Sequence, residues 1–178
     1  MIPLPHKKYN VIYADPPWGY RNKGTRAAAF KHYDTMTIEG IKHIPIGDIA
    51  SDDCALFIWA TFPMLKDALE VIEVWGFEYK TVAFNWVKQN KNGEGLFMGL
   101  GNWTRSNSEI CLLAVKGKPK RISASVRSVI LSPVQRHSQK PAEVRDRIVE
   151  LMGNLQRIEL FARDTAPGWD SWGNETPD

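Results

Sequence analysis

The chain of 178 residues holds only two cysteines, Cys54 and Cys111, each inside an apolar run. That usage excludes a disulfide framework and reads as two small buried hydrophobes in a reducing compartment. Its four histidines lack metal-ligand spacing, so no metal is expected. No apolar stretch approaches membrane-spanning length, and the N-terminus lacks a basic region followed by an apolar signal core. Internal repeats and low-complexity segments are missing too. What remains is 43% hydrophobic and 24% charged. That is an ordinary globular composition, expected to form one domain over 1–178, with the cytoplasm as default compartment.

Acidic residues are missing from two whole segments. Between Ile110 and Ala142 there is no Asp or Glu, while Lys116, Lys118, Lys120, Arg121, Arg127, Arg136 and Lys140 are basic. Between Pro16 and Tyr33 the charged residues are Arg21, Lys23, Arg26 and Lys31. Acids concentrate instead between Asp34 and Glu78. A net charge of +3 is modest, but this segregation suits one face that meets polyanionic phosphates.

Hydrophobic periodicity orders the elements. Tyr9–Ala14, Cys54–Ala60, Lys80–Val87, Glu109–Val115, Val126–Leu131 and Arg157–Ala162 read as strands. Thr37 suits the cap of a short helix that stops before Pro45. Pro63 suits a first helical position, and Leu65, Leu69 and Ile72 share one face of a helix ended by Gly76. Pro141–Met152 is an amphipathic helix with Val144, Ile148 and Leu151 inward and Gly153 as its stop. Strands alternating with helices predict an α/β fold with a mostly parallel, doubly wound sheet. The Gln89–Ser108 loop carries Leu96, Phe97, Met98, Leu100 and Trp103, so it reads as a partner surface or a lid.

Directly behind the first strand stand Asp15, Pro16, Pro17 and Trp18. They would lie at its carboxyl end, where open α/β sheets bind ligands. Asp15 can accept hydrogen bonds from an exocyclic amine. The prolines present carbonyls with no competing N–H donors. Trp18 offers a flat face to a base drawn from its stack. Further along come Tyr33-Asp34-Thr35-Met36, Leu56-Phe57-Ile58-Trp59, Trp86-Val87-Lys88, Lys116-Gly117, His137-Ser138-Gln139-Lys140-Pro141, Glu159-Leu160-Phe161-Ala162-Arg163 and Asp170-Ser171-Trp172-Gly173-Asn174-Glu175.

As an ordered set, these motifs resemble the DPPW-type adenine-N6 methyltransferases. That family includes the catalytic subunit of the mRNA adenosine-methylating complex and many small bacterial and phage enzymes. The resemblance implies a Rossmann-like methyltransferase fold using S-adenosylmethionine, in permuted motif order: catalytic strand first, cofactor strand last. It implies Asp15, Pro16, Pro17 and Trp18 as the catalytic tetrapeptide, with Tyr33, Trp18, Lys88 and Arg105 toward the substrate. It implies cofactor contacts from Asp15, Lys140, Glu159, Leu160, Phe161, Arg163, Asn174 and Glu175. Ala166 falls where some relatives carry a polar cofactor contact. The family lacks a glycine-rich phosphate loop and none occurs here, which fits a ligand with a carboxylate and ribose. The expected activity is methylation of adenine N6 in nucleic acid, DNA before RNA. The alternatives are an RNA enzyme or a catalytically silent nucleic-acid-binding subunit. The resemblance also implies a homodimer through 86–103. A domain of this size leaves no room for a separate target-recognition module, so site choice is expected from Gly19–Phe30, Gln89–Ser108 or a basic Lys116–Arg121 hairpin, or from a second subunit.

Overall fold

Along the first strand, Val11 and Tyr13 point to one side and Ile12 and Ala14 to the other, and all four are buried. A strand apolar on both faces belongs inside a covered sheet. The computed structural model, which describes residues 2–19 and 35–174, places it there. The strands are β1 (Tyr9–Ala14), β2 (Ala50–Ala60), β3 (Glu78–Gln89), β4 (Ser108–Lys116), β5 (Val129–Pro133), β6 (Arg157–Leu160) and β7 (Asp170–Trp172). They form one sheet in the order β5-β3-β4-β2-β1-β6-β7. β1 pairs in parallel with β2 and β6, β6 with β7, and β3 with β5. β4 runs antiparallel to both β2 and β3. The mostly parallel α/β architecture read from the sequence is the one found.

Helices cover both faces. Helix α1 (Ile38–Lys42) begins where Thr37 accepts the backbone N–H of Gly40 on its side-chain oxygen. Helix α2 (Leu65–Val74) follows a tight 3-10 turn over Phe62–Met64 and buries Ala68, Val71 and Ile72. They pack with Ile12, Leu56, Ile58 and Leu112. Helix α3 (Glu143–Met152) buries Val144, Ile148 and Met152 on the opposite face, against Tyr13, Phe57, Trp59, Phe84 and Trp86. Gly76 (φ 87°) and Gly153 (φ 91°) stop α2 and α3 in conformations that only glycine adopts cheaply. Cys54 and Cys111 are free and buried, as read.

One strand was not foreseen and two expectations are corrected. The C-terminal tail contains a strand, β7, too short to show any alternation in sequence. The fifth strand starts later than read, at Val129. Lys116–Arg121 is no hairpin: Lys116 ends β4, and the chain then crosses to β5, which pairs with β3 rather than β4.

Candidate active site

The register of the parallel strands sets the site. Ala14 lies beside Ile58 on one side and Leu160 on the other, and Leu160 lies beside Trp172. Asp15, Phe161 and Gly173 therefore leave three adjacent strands at one level of the carboxyl edge. Two strand spacings separate β1 from β7, roughly 10 Å. The chain goes from β1 to β2 on one side, while β6 and β7 return on the other. Such a reversal of strand order opens a crevice at the carboxyl ends. Residues 15 and 174, distant in sequence, thus share one edge.

The β6–β7 tip is tightly built. Phe161 holds a left-handed backbone (φ 58°), and its ring meets Trp172 edge to face at 5.4 Å. Such a conformation in a non-glycine residue costs on the order of 1–3 kcal/mol and persists where the surroundings enforce it. The enforcement is visible here: the N–H of Ala162 donates to the carbonyl of Trp172 at 3.1 Å. A Cβ on Gly173 would stand 2.5 Å from the Ala162 carbonyl oxygen and 2.8 Å from its nitrogen.

Asp15 stands in a row of alternating charges. The Lys140 ammonium lies 3.1 Å from Asp15 Oδ2 and 3.3 Å from Glu109 Oε2, and Lys88 lies 2.7 Å from Glu109 Oε1. Lys140 also donates to the carbonyl of Ser138 and sits 5.5 Å from the Trp59 ring centre. The side chains of Lys140 and Glu109 are 10% and 13% exposed, whereas Asp15 keeps 27%. Burial disfavours the Lys140 ammonium, but Asp15 and Glu109 together outweigh it and raise its proton affinity. Burial likewise pushes Glu109 up, yet Lys140 and Lys88 bring its carboxyl below the usual range. At Asp15 burial prevails over Lys140, and the nearby Glu109 charge adds to it, so this carboxyl titrates above an ordinary aspartate.

Trp18 is 7% exposed, packs into the core on the α2 side, and donates its indole N–H to the Trp59 carbonyl at 2.9 Å. The ring read as an open stacking platform is therefore mostly a wall. The carbonyl of Pro16 accepts the Trp18 backbone N–H at 2.8 Å, leaving one lone pair for a ligand, and Pro17 accepts from Met36. Lys88 is committed to Glu109 and the face of Trp86. Arg105 lies on the exposed loop and donates to Gly101. Glu159 is gripped by Arg145 through two bonds of 2.6 and 3.0 Å. Leu160 points into the core, so only its backbone faces the edge. Arg163 donates to the carbonyl of His137 at 3.0 Å, and its charge reaches Asp15. Asn174 is exposed just beyond Gly173. Tyr33 and Glu175, with most of Gly19–Phe30, lie outside the described residues.

The basic Lys116–Arg121 segment lies at the wrong edge. Because β4 is antiparallel, Lys116 pairs with Cys54 in the first half of β2, while Ile110 pairs with Ala60 at its end. That puts the segment roughly 20 Å from the carboxyl edge. Glu109 was not singled out in the sequence. Its only signal is that it is the last acid before the acid-free run and opens an apolar strand. A depression of about 440 Å³, lined by Phe62, Leu65, Val82, Ile110 and Val129 among others, belongs to the α2 face and not to this site. Among the described residues no cluster of His, Cys, Asp and Glu is arranged to hold a metal, and no helix is long and apolar enough to cross a membrane.

This edge therefore offers an acceptor carboxylate, a fixed ammonium beside it and a proline carbonyl. The family model described as MT-A70 matches residues 9–175. The chain is 39% identical to the type II methyltransferase M.MunI of Mycoplasma sp, over 98% of this chain and 81% of that protein. It is 31% identical to the human N(6)-adenosine-methyltransferase catalytic subunit METTL3 over 94% of this chain and 28% of that protein. An MT-A70-like N(6)-adenosine-methyltransferase of Arabidopsis thaliana is 28% identical, again over 94% of this chain and over 24% of its own length. The chain thus spans about a quarter of those two eukaryotic proteins, and with the match running from its first strand past its last, it belongs to the MT-A70 family.

Proposed function

We propose that this chain, acting as one domain, is an S-adenosylmethionine-dependent methyltransferase acting on the N6 amine of adenine in nucleic acid, DNA first. The observation that carries the proposal is the Asp15–Lys140 pair at the shared carboxyl edge of β1 and β6. The Lys140 charge attracts the carboxylate of an amino-acid moiety, and Asp15 beside it is left to face the substrate amine. The tight β6–β7 tip, where even a methyl group on Gly173 has no room, suits close approach of the rest of the cofactor to the backbone. When bound, S-adenosylmethionine supplies an electrophilic sulfonium methyl group and leaves as a neutral thioether.

The chain's own residues do the remaining work. The amine of adenine is a poor nucleophile, because its lone pair is delocalised into the ring. Asp15 and the free lone pair of the Pro16 carbonyl accept its two hydrogens and turn the nitrogen toward a tetrahedral shape. Positive charge developing on the attacking nitrogen would lie beside Asp15, which would stabilise it electrostatically. One proton then leaves the alkylated nitrogen. Asp15, held above the ordinary aspartate range, is placed to receive it.

DNA is placed first because the bacterial relative is matched over 81% of its length, whereas METTL3 is matched over 28%. At the carboxyl edge, Arg105 and Arg136 are the residues we assign to phosphates, with Arg163 kept for the cofactor, in a cytoplasmic setting. The exposed apolar ridge of Leu96, Met98, Leu100 and Trp103 supports self-association through 86–103. A tritiated-methyl assay on matched DNA and RNA, followed by nucleoside analysis, tests the reading. N6-methyladenine in DNA is expected. Asp15→Ala should abolish it while cofactor binding stays measurable by calorimetry, and near-normal turnover in that variant would refute the role given to Asp15.

A further inference from the structure

We propose that Glu109 is a positioning residue for methyl transfer: anchored by Lys88 on one oxygen, it shares the Lys140 ammonium with its other, and so keeps an oxygen of Asp15 open for the substrate amine. This rests on the function proposed above and deepens it. Nothing in the tetrapeptide or the cofactor strand points to Glu109. It is contributed by β4, the antiparallel strand, whose beginning reaches the same edge as the ends of β1 and β6.

Hydrogen-bond arithmetic supports the role. An ammonium has three donors, and Lys140 spends them on Asp15, Glu109 and the Ser138 carbonyl. Asp15 therefore accepts one bond from Lys140, through Oδ2. Glu109 spends one oxygen on each lysine. The row Asp15, Lys140, Glu109, Lys88 sums to zero charge, so no member is left uncompensated in a poorly hydrated place. Removing the Glu109 charge leaves Lys140 with one carboxylate to serve. It then closes on Asp15 and competes with the amine. Removing the Lys88 charge does the reverse, since Glu109 draws harder on Lys140 and releases Asp15.

Among the described residues, the groups that face Asp15 are Lys140 ahead of α3, Glu109 and Cys111 on β4, Tyr13 on β1, Glu159 on β6 and Arg163 beyond it. Glu159 is already compensated by Arg145. The Glu109–Lys88 couple is therefore the adjustable part of this surrounding. Its two halves act on Asp15 with opposite sign.

The experiment follows the Asp15 side-chain carboxyl by carbon-13 NMR titration in the ligand-free protein. Glu109→Gln should move its midpoint down by about one pH unit, which is about tenfold in proton affinity, and Lys88→Met should move it up. Glu109→Asp keeps the charge and should restore most of the wild-type midpoint. The acid limb of the kcat profile should follow the same order, with kcat of Glu109→Gln lowered by about tenfold or more. Thermal melts establish that each variant is folded, and Lys88→Met with Glu109→Asp carries the test if Glu109→Gln is not. Midpoints that stay put, or that move the same way in both charge-removing variants, overturn the proposal. Failure of the wild-type protein to bind S-adenosylmethionine or methylate any nucleic acid would overturn the proposed function instead, and the NMR midpoints tell the two failures apart.

Discussion

Replacing Lys140 by Met keeps most of the side-chain stem and deletes the ammonium that Asp15 and Glu109 share. Two carboxylates are then left with Lys88, which touches Glu109 alone. Removing one partner of a buried ion pair costs about 3–5 kcal/mol. Asp15 keeps 27% of its side-chain surface, so water screens part of the loss and about 3 kcal/mol is expected. The cost should depend on pH in a definite direction. Burial already holds the Asp15 carboxyl above its unfolded value, and loss of the lysine raises it further. Between the unfolded and folded values the folded protein binds more protons than the unfolded chain, so stability falls as pH rises through that window. Urea melts should therefore show a smaller loss at the acid end of the pH range than at the alkaline end. A cost below about 1 kcal/mol, or one equal at both ends, would mean that Lys140 does not hold these carboxylates together.

Other perturbations address the walls of the site and the loop above it. Trp18→Ala should cost about 3–5 kcal/mol in a urea melt, because the ring fills core on the α2 side; a loss within about 0.5 kcal/mol would return Trp18 to a surface stacking role. Trp18→Phe should still cost about 1–3 kcal/mol through the unpaired Trp59 carbonyl, measured the same way. Gly173→Ala presses a methyl group onto the Ala162 and Phe161 backbone, and should lower cofactor affinity by about tenfold or more in calorimetry; unchanged affinity would separate this tip from the cofactor. Leu100 and Trp103 are 85% and 99% exposed, so Leu100→Ser with Trp103→Ser should leave the melting temperature intact while abolishing self-association in sedimentation; an unchanged sedimentation profile would remove the loop from any dimer contact.

Most individual elements could be read from the chain because their signals are local. The apolar run of β1, the α2 face at helical spacing, and the glycines at 76 and 153 depend on residues within a turn or two of one another. The tetrapeptide was legible for the same reason, since its place at a strand end needs only the strand before it. β7 was not legible, because Asp170-Ser171-Trp172 is too short to show a period and pairs only through β6.

By itself, then, the sequence determined the helices and the strands other than β7, the α/β class, the tetrapeptide and the family motifs, all of them carried by contiguous residues. The tertiary structure decided which charges meet. The direction of β4 alone brings Glu109 to the edge of Asp15 and sends Lys116–Arg121 to the other end of the sheet. The burial of Trp18 on the α2 side, with its indole N–H on the Trp59 carbonyl, makes a wall of a ring that the chain presents as a free face. Strand direction and order are settled by long-range pairing, which buries both faces of the sheet at once, and no local run of residues encodes that choice.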